Sequence, residues 1–127
     1  MITVKEVEGI HKILIDSFDG THGIRDLVAL DSALARPYPT FDGVELLPDP
    51  VQKAAALIES ILINHPFIDG NKRTGYVLMR LLLISYNLDI SASQTEKYDF
   101  VISVASGKII FENIVHWLNG HVTGIEV

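Results

Sequence analysis

Apolar residues recur along most of this chain at three- and four-residue intervals, the period of a helix that buries one face. Val4, Val7, Ile10, Ile13, Leu14 and Phe18 form the first stripe. Thr3 and Glu6 stand before it at capping-box spacing, so a helix is predicted to run to about Phe18 and to end at Gly20 and Gly23. Asp26 is placed to cap a second helix carrying Leu27, Leu30, Ala33 and Leu34, which Pro37 stops. The helical period then breaks. Asp42 and Gly43, between Tyr38, Phe41 and Val44, Leu46, predict a small β-hairpin within about 38–47, with a plain connecting loop as the alternative. Asp49 and Pro50 read as N-cap and first residue of a third helix, whose apolar face holds Val51, Ala54, Ala55, Ile58, Ile61 and Leu62.

Tyr76 to Ile84 is apolar nearly all round, the pattern of a helix at the centre of a bundle. Asn87 to Ala92 reads as a turn or short extended link. Ser93 and Glu96 repeat the capping-box spacing and open a helix through Phe100, Val101 and Val104 that ends at Gly107. A last helix carries Ile110, Phe111, Ile114, Val115, Trp117 and Leu118, stops at Gly120 and leaves His121 in a frayed tail. The expectation is an all-α, single-domain bundle over residues 1–127, with five to six helices and the small hairpin.

Composition narrows the setting. There is no cysteine to staple the fold, so packing must hold it, and at 127 residues one sizeable core can form. The longest apolar run, Tyr76 to Ile84, contains Arg80 and is too short to cross a bilayer; no basic-then-apolar leader precedes it. A cytoplasmic protein with no membrane partner is expected. A net charge of −6 argues against a nucleic-acid partner, because phosphate backbones demand clustered Lys and Arg.

Basic charge gathers in one place. Between the two most apolar runs lies His65-Pro66-Phe67-Ile68-Asp69-Gly70-Asn71-Lys72-Arg73-Thr74-Gly75. Polar and charged groups set against buried helices cost stability unless they are paired or bind something. If a helix restarts near Asn71, the amides of Gly70, Asn71, Lys72 and Arg73 are its unpaired first-turn donors, and the helix dipole adds positive potential there: an anion site. Gly70 permits close approach, while Lys72 and Arg73 add a point charge and a bidentate fork. Asp69 is placed to hold Mg²⁺ against phosphate oxygens, and His65 to accept a hydroxyl proton. A P-loop is a weaker reading, since Asn71 stands before Lys72 in place of Gly, Arg73 after it in place of Ser or Thr, and no β-rich run precedes it; a Ca²⁺ loop would need alternating oxygen ligands that are absent. An ordinary polar turn with one satisfied His is the plain alternative. Elsewhere His11 reads as surface or half-buried, His22 as a loop residue, Tyr76 and Tyr86 as packing residues with wet tips, and His116 with Trp117 as core and rim. Arg25 and Arg36 could serve phosphate, a partner, or solvated or ion-paired surface.

HPFIDGNKRTG resembles the signature of the Fic/Doc family, His-x-Phe-x-Asp/Glu-Gly-Asn-x-Arg, and GIRDLVALDSALARP over 23–37 is similar to the corresponding stretch of Doc-type sequences. Lys72 after Asn71, and Tyr76 where the adenylyl-transferring members carry a second Arg, resemble the death-on-curing (Doc) branch; Gly70 departs from the founding Doc sequence, which has Ala. The resemblance implies a toxin that takes ATP and Mg²⁺ and passes phosphate to a threonine of a translation factor such as elongation factor Tu. In that role His65, Asp69, Lys72 and Arg73 are catalytic, Gly70, Asn71, Lys72 and Arg73 bind the nucleotide, and Asp69 binds the metal. The 38–47 hairpin is similar to the flap with which Fic proteins hold a target segment, main chain to main chain. The Ser/Thr-x-x-x-Glu motif that restrains many members is absent from the sequence; the resemblance implies a separate antitoxin whose disordered segment folds as a helix along a surface groove. Transfer of AMP in place of phosphate, and a catalytically idle binding module, remain as alternatives.

Overall fold

The computed structural model describes residues 1–125, so the last two residues of the expected domain lie outside it. Helix α3 (Pro50–Asn64) is the element around which the others gather: ten of its fifteen residues are buried. Its Ala54, Ala55 and Ala56 are each 0% exposed, and such small side chains let neighbours approach from every side. Helices α2 (Leu27–Ala35), α4 (Asn71–Ile84), α5 (Gln94–Ala105) and α6 (Phe111–His121) all pack on it, and α1 (Val4–Ser17) closes against α4 and α2. The central helix is therefore α3 and not the run from Tyr76 to Ile84. Although α4 looks apolar all round, it turns Arg80, Leu81 and Ile84 to solvent. Leu57, Ile58, Ile61 and Leu62 of α3 with Leu78, Met79 and Leu83 of α4 form the middle of the core.

Capping chemistry starts the helices where the sequence predicts. Thr3 and Ser93 make reciprocal capping boxes with Glu6 and Glu96, Asp26 accepts from the Ala29 amide, and Asp49 accepts from the Val51 amide ahead of Pro50. Strands β1 (Thr40–Phe41) and β2 (Val44–Glu45) form the expected hairpin, with Asp42 and Gly43 at positive φ in the turn. What ties the hairpin down is Lys53, which is 2% exposed. Its ammonium is buried at tolerable cost because it donates to the Leu47 carbonyl, meets Glu45 Oε1 at 3.1 Å and lies over the Tyr38 ring.

The C-terminal end departs from the expectation. Helix α6 runs through Gly120 to His121, and the supposed tail forms β4 (Val122–Gly124), antiparallel to β3 (Leu88–Ile90) with Ile90 opposite Val122. His121 is anchored: it stacks on Trp117, itself stacked on Phe100, while Nδ1 donates to the Trp117 carbonyl and Nε2 lies 3.2 Å from Glu96. Three-residue strands carry too little alternation to be read from sequence. Among the described residues no helix is long and apolar enough to cross a membrane.

Candidate active site

The signature folds as a bend between α3 and α4. His65 closes α3 in the left-handed conformation, φ 47° and ψ 60°, which costs a residue with a Cβ roughly 1–2 kcal/mol and so must be held by its surroundings. Gly70 opens α4 at φ 74°. A Cβ there would also come within 2.9 Å of Ile15 Cδ1, a flexible side-chain tip that can give way, so the positive φ is what favours glycine here, a different reason from close approach by a ligand. At the far end Gly75 lets α4 cross α3 closely: a Cβ would fall 2.3 Å from Leu62 Cδ1.

Inside the bend the Asn71 amide bonds Phe67 twice, Oδ1 accepting from its backbone N–H at 3.0 Å and Nδ2 donating to its carbonyl at 2.9 Å. The Asn71 side chain is thereby spent on the loop, leaving its backbone amide for a ligand. Phe67 is buried, and its ring stacks on His11, 4.0 Å between centroids. His11 is 4% exposed and is neither a surface nor a half-buried residue: Nε2 donates to the Asp69 carbonyl at 2.8 Å. The connection between α1 and α2 braces the same bend. Ile24 bridges to Phe67, the Arg25 and Asp26 amides both donate to the Pro66 carbonyl, and the Ile68 amide donates to the Gly23 carbonyl. The Arg25 guanidinium, paired with no carboxylate among the described residues, donates to the carbonyls of Asn64 and His65. Arg36 is ion-paired, 2.5 Å from Glu59, and also donates to Ser60.

The bend opens on a pocket of about 580 Å³ lined by His65, Asp69, Gly70, Asn71, Lys72 and Arg73, whereas Arg25 and Arg36 do not line it. The His65 side chain is exposed and meets no partner among the described residues. The amides of Asn71, Lys72 and Arg73 likewise meet no acceptor among the described residues, as the first turn of a helix leaves them. The Gly70 amide is not part of this set, because it donates to Asp69 Oδ1. Lys72 is exposed, and Arg73 lies over the Phe18 ring, 3.6 Å from its centroid. Among the described residues Asp69 is the one carboxylate lining the pocket. Backbone amides of Thr21 and Gly70, with smaller contributions from His11 and Arg73, hold it below the usual carboxylate range, so it is ionised at neutral pH.

The opposite wall comes from α5 and escaped the sequence reading. Gln94, Lys97, Tyr98, Val101 and Ile102 line it at helical spacing, and Tyr76 of α4 completes it. That spacing was visible, but Val101 reads as part of the core stripe with Phe100 and Val104. The Tyr76 hydroxyl is buried and unpartnered among the described residues, so its tip is not wet; burial raises the phenol above its ordinary value.

The bend, with the signature residues that line its pocket, falls within the part of the chain that one family model describes. A model of the Fic/DOC family matches residues 1–83, and the chain belongs to that family. It is similar to a protein of Mycolicibacterium smegmatis (strain ATCC 700084 / mc(2)155) named Toxin Doc, 47% identical over 60 residues. Those residues are 47% of this chain and 46% of the relative, so the match spans about half the length of each.

Proposed function

We propose that this chain is a Doc-like toxin, a single domain over residues 1–127 that transfers the terminal phosphate of ATP to a protein hydroxyl. The observation that carries the reading is one pocket that, among the described residues, holds an unpartnered imidazole, three unpartnered helix-start amides, three cations (Lys72, Arg73 and Lys97) and one ionised carboxylate. The amides of Asn71, Lys72 and Arg73, with the Lys72 ammonium and Arg73 guanidinium, hold the phosphate oxygens and take up the charge that develops on them. His65 takes the proton of the attacking hydroxyl. A bond forms between that oxygen and the γ-phosphorus, the bond to the β–γ bridging oxygen breaks, and ADP leaves.

The site suits Mg²⁺. Asp69 is exposed and ionised, and each of its oxygens accepts one amide, which leaves lone pairs for an ion. Among the described residues no group of three or more His, Cys, Asp or Glu could hold a metal alone, so Asp69 would share the ion with phosphate oxygens. When bound, Mg²⁺ neutralises phosphate charge.

Similarity to a protein named Toxin Doc supports a toxin paired with a separate antitoxin. The target in this proposal is a translation factor such as elongation factor Tu, modified in the cytoplasm, as the resemblance of the signature implies. The hairpin tethered by Lys53 is suited to align a target segment. Tyr76, where adenylyl-transferring members have a second Arg, favours phosphate over AMP. Reaction with ATP labelled separately at the α and γ positions tests this: γ label on the elongation factor supports the proposal, and α label shows AMP transfer instead. Tight binding of a protein partner without detectable nucleotide binding would show an idle binding module.

A further inference from the structure

The bend places His65 in a backbone conformation that its own residue type disfavours, and one side chain outside the signature reaches its main chain. Arg25 Nε donates to the His65 carbonyl at 2.7 Å and its second guanidinium nitrogen donates to the Asn64 carbonyl at 2.5 Å. These are the final carbonyls of α3, which the helix itself cannot satisfy and where its dipole favours a cation. The backbone of the same residue continues the grip, with the Arg25 and Asp26 amides converging on the Pro66 carbonyl at 2.7 and 3.0 Å. Three successive carbonyls, those of Asn64, His65 and Pro66, are thus fixed from one short segment. By contrast the His65 side chain makes no hydrogen bond among the described residues, so what the neighbouring segment holds is its backbone.

We infer that Arg25 is a positioning residue, whose guanidinium fork on the Asn64 and His65 carbonyls fixes the left-handed turn of His65 and thereby aims its imidazole into the pocket. The fork matters more than the charge: two nitrogens in one plane meet two neighbouring carbonyls, which a Lys ammonium cannot reproduce with the same geometry. This assignment rests on His65 being the base of the proposed transfer, so its test carries a readout independent of transfer.

The experiment compares the full chain with its Arg25→Ala, Arg25→Lys and Arg36→Ala variants. Arg36 braces the middle of α3 through the Ala56 carbonyl, Ser60 and Glu59, away from the bend, and so controls for lost stability alone. Backbone ¹³C shifts of His65 and exchange of the Ile68 amide report the turn; kcat and KM for Mg-ATP report transfer. In Arg25→Ala the His65 shifts leave their left-handed values and Ile68 exchanges faster. Its kcat falls about 100-fold with KM for ATP within about twofold, as expected when a reacting group is misplaced and binding is kept. Arg25→Lys stays about tenfold or more below wild type. Arg36→Ala lowers Tm but keeps the His65 shifts and, while folded, the transfer rate. Native His65 shifts in Arg25→Ala, or equal losses of kcat in Arg25→Ala and Arg36→Ala, would overturn the assignment. Should the wild type transfer nothing, the proposed function falls and the shift measurement decides Arg25 by itself.

Discussion

Asn71→Asp is nearly isosteric, and two physical effects predict opposite outcomes for it. Asn71 is the first residue of α4, where a carboxylate gains roughly 0.3–1 kcal/mol from the helix dipole. The same atoms also close the bend: Oδ1 accepts from the Phe67 amide and Nδ2 donates to the Phe67 carbonyl. The substitution keeps the first bond and turns the second into an oxygen facing an oxygen. Losing that bond costs about 1 kcal/mol, and leaving a part-buried carbonyl against a carboxylate costs about 1–3 more. The bend should win, with a net loss of roughly 1–3 kcal/mol at pH 7. The introduced carboxyl is disfavoured in its charged form, so its pKa in the folded protein is raised. Protonated, it donates to Phe67 as the amide did, so the deficit shrinks as pH falls from 7 toward 4. Urea unfolding of both proteins at pH 7 and pH 5 measures this. A variant as stable as wild type at pH 7, or a deficit that does not narrow in acid, refutes the role assigned to Asn71.

His65→Ala should leave Tm and nucleotide affinity unchanged while lowering transfer at least about 100-fold, as loss of a general base does; full transfer by this variant would remove His65 from the mechanism. Gly75→Ala gains up to about 1 kcal/mol of helix propensity, but its methyl would sit 2.3 Å from Leu62 Cδ1 and 3.1 Å from Ile61 Cγ2, an overpacking that costs about 1–3 kcal/mol or more. Thermal denaturation should show a lower Tm, and a raised one would mean that α3 and α4 cross less tightly. Acid should weaken the fold in a defined window. Asp89 is held low by the Arg80 guanidinium, Glu96 and Glu6 by their Ser93 and Thr3 capping bonds, and Asp69 by the Thr21 and Gly70 amides. A depressed carboxylate stabilises the fold fully above its unfolded value near about pH 4 and loses that contribution as pH falls through the lower folded value. Tm measured across pH should therefore be insensitive to these four groups above about pH 5 and decline below about pH 4.

Helix starts were legible because capping is local: Thr3 with Glu6, Asp26, Asp49 with Pro50, and Ser93 with Glu96 each act within three residues. The signature was legible because its chemistry is packed into one bend. Less legible were features made by distant pairs. Nothing near His11 reveals that it stacks on Phe67, nothing near Lys53 that it ties the hairpin to α3, and nothing in residues 120–124 that β3 waits for them. Central burial of α3 was missed because three alanines look less hydrophobic than the Leu-rich α4, though small size is what admits neighbours on all sides.

Within the signature the side chains divide by direction. Phe67 and Asn71 turn inward and are spent on the bend, and Gly75 admits α3; His65, Asp69, Lys72 and Arg73 turn toward the pocket. Inward positions should therefore fail in unfolding experiments first and in transfer only as a consequence, whereas outward positions should fail in transfer with the fold intact. Asp69 belongs to both sets, since its carboxylate reaches the pocket while accepting from Thr21 and Gly70. It is the one signature residue for which loss of transfer would not by itself separate metal binding from support of the bend. Asp69→Asn, which keeps an acceptor for one amide but not the charge, separates them when stability and Mg²⁺ dependence are measured together.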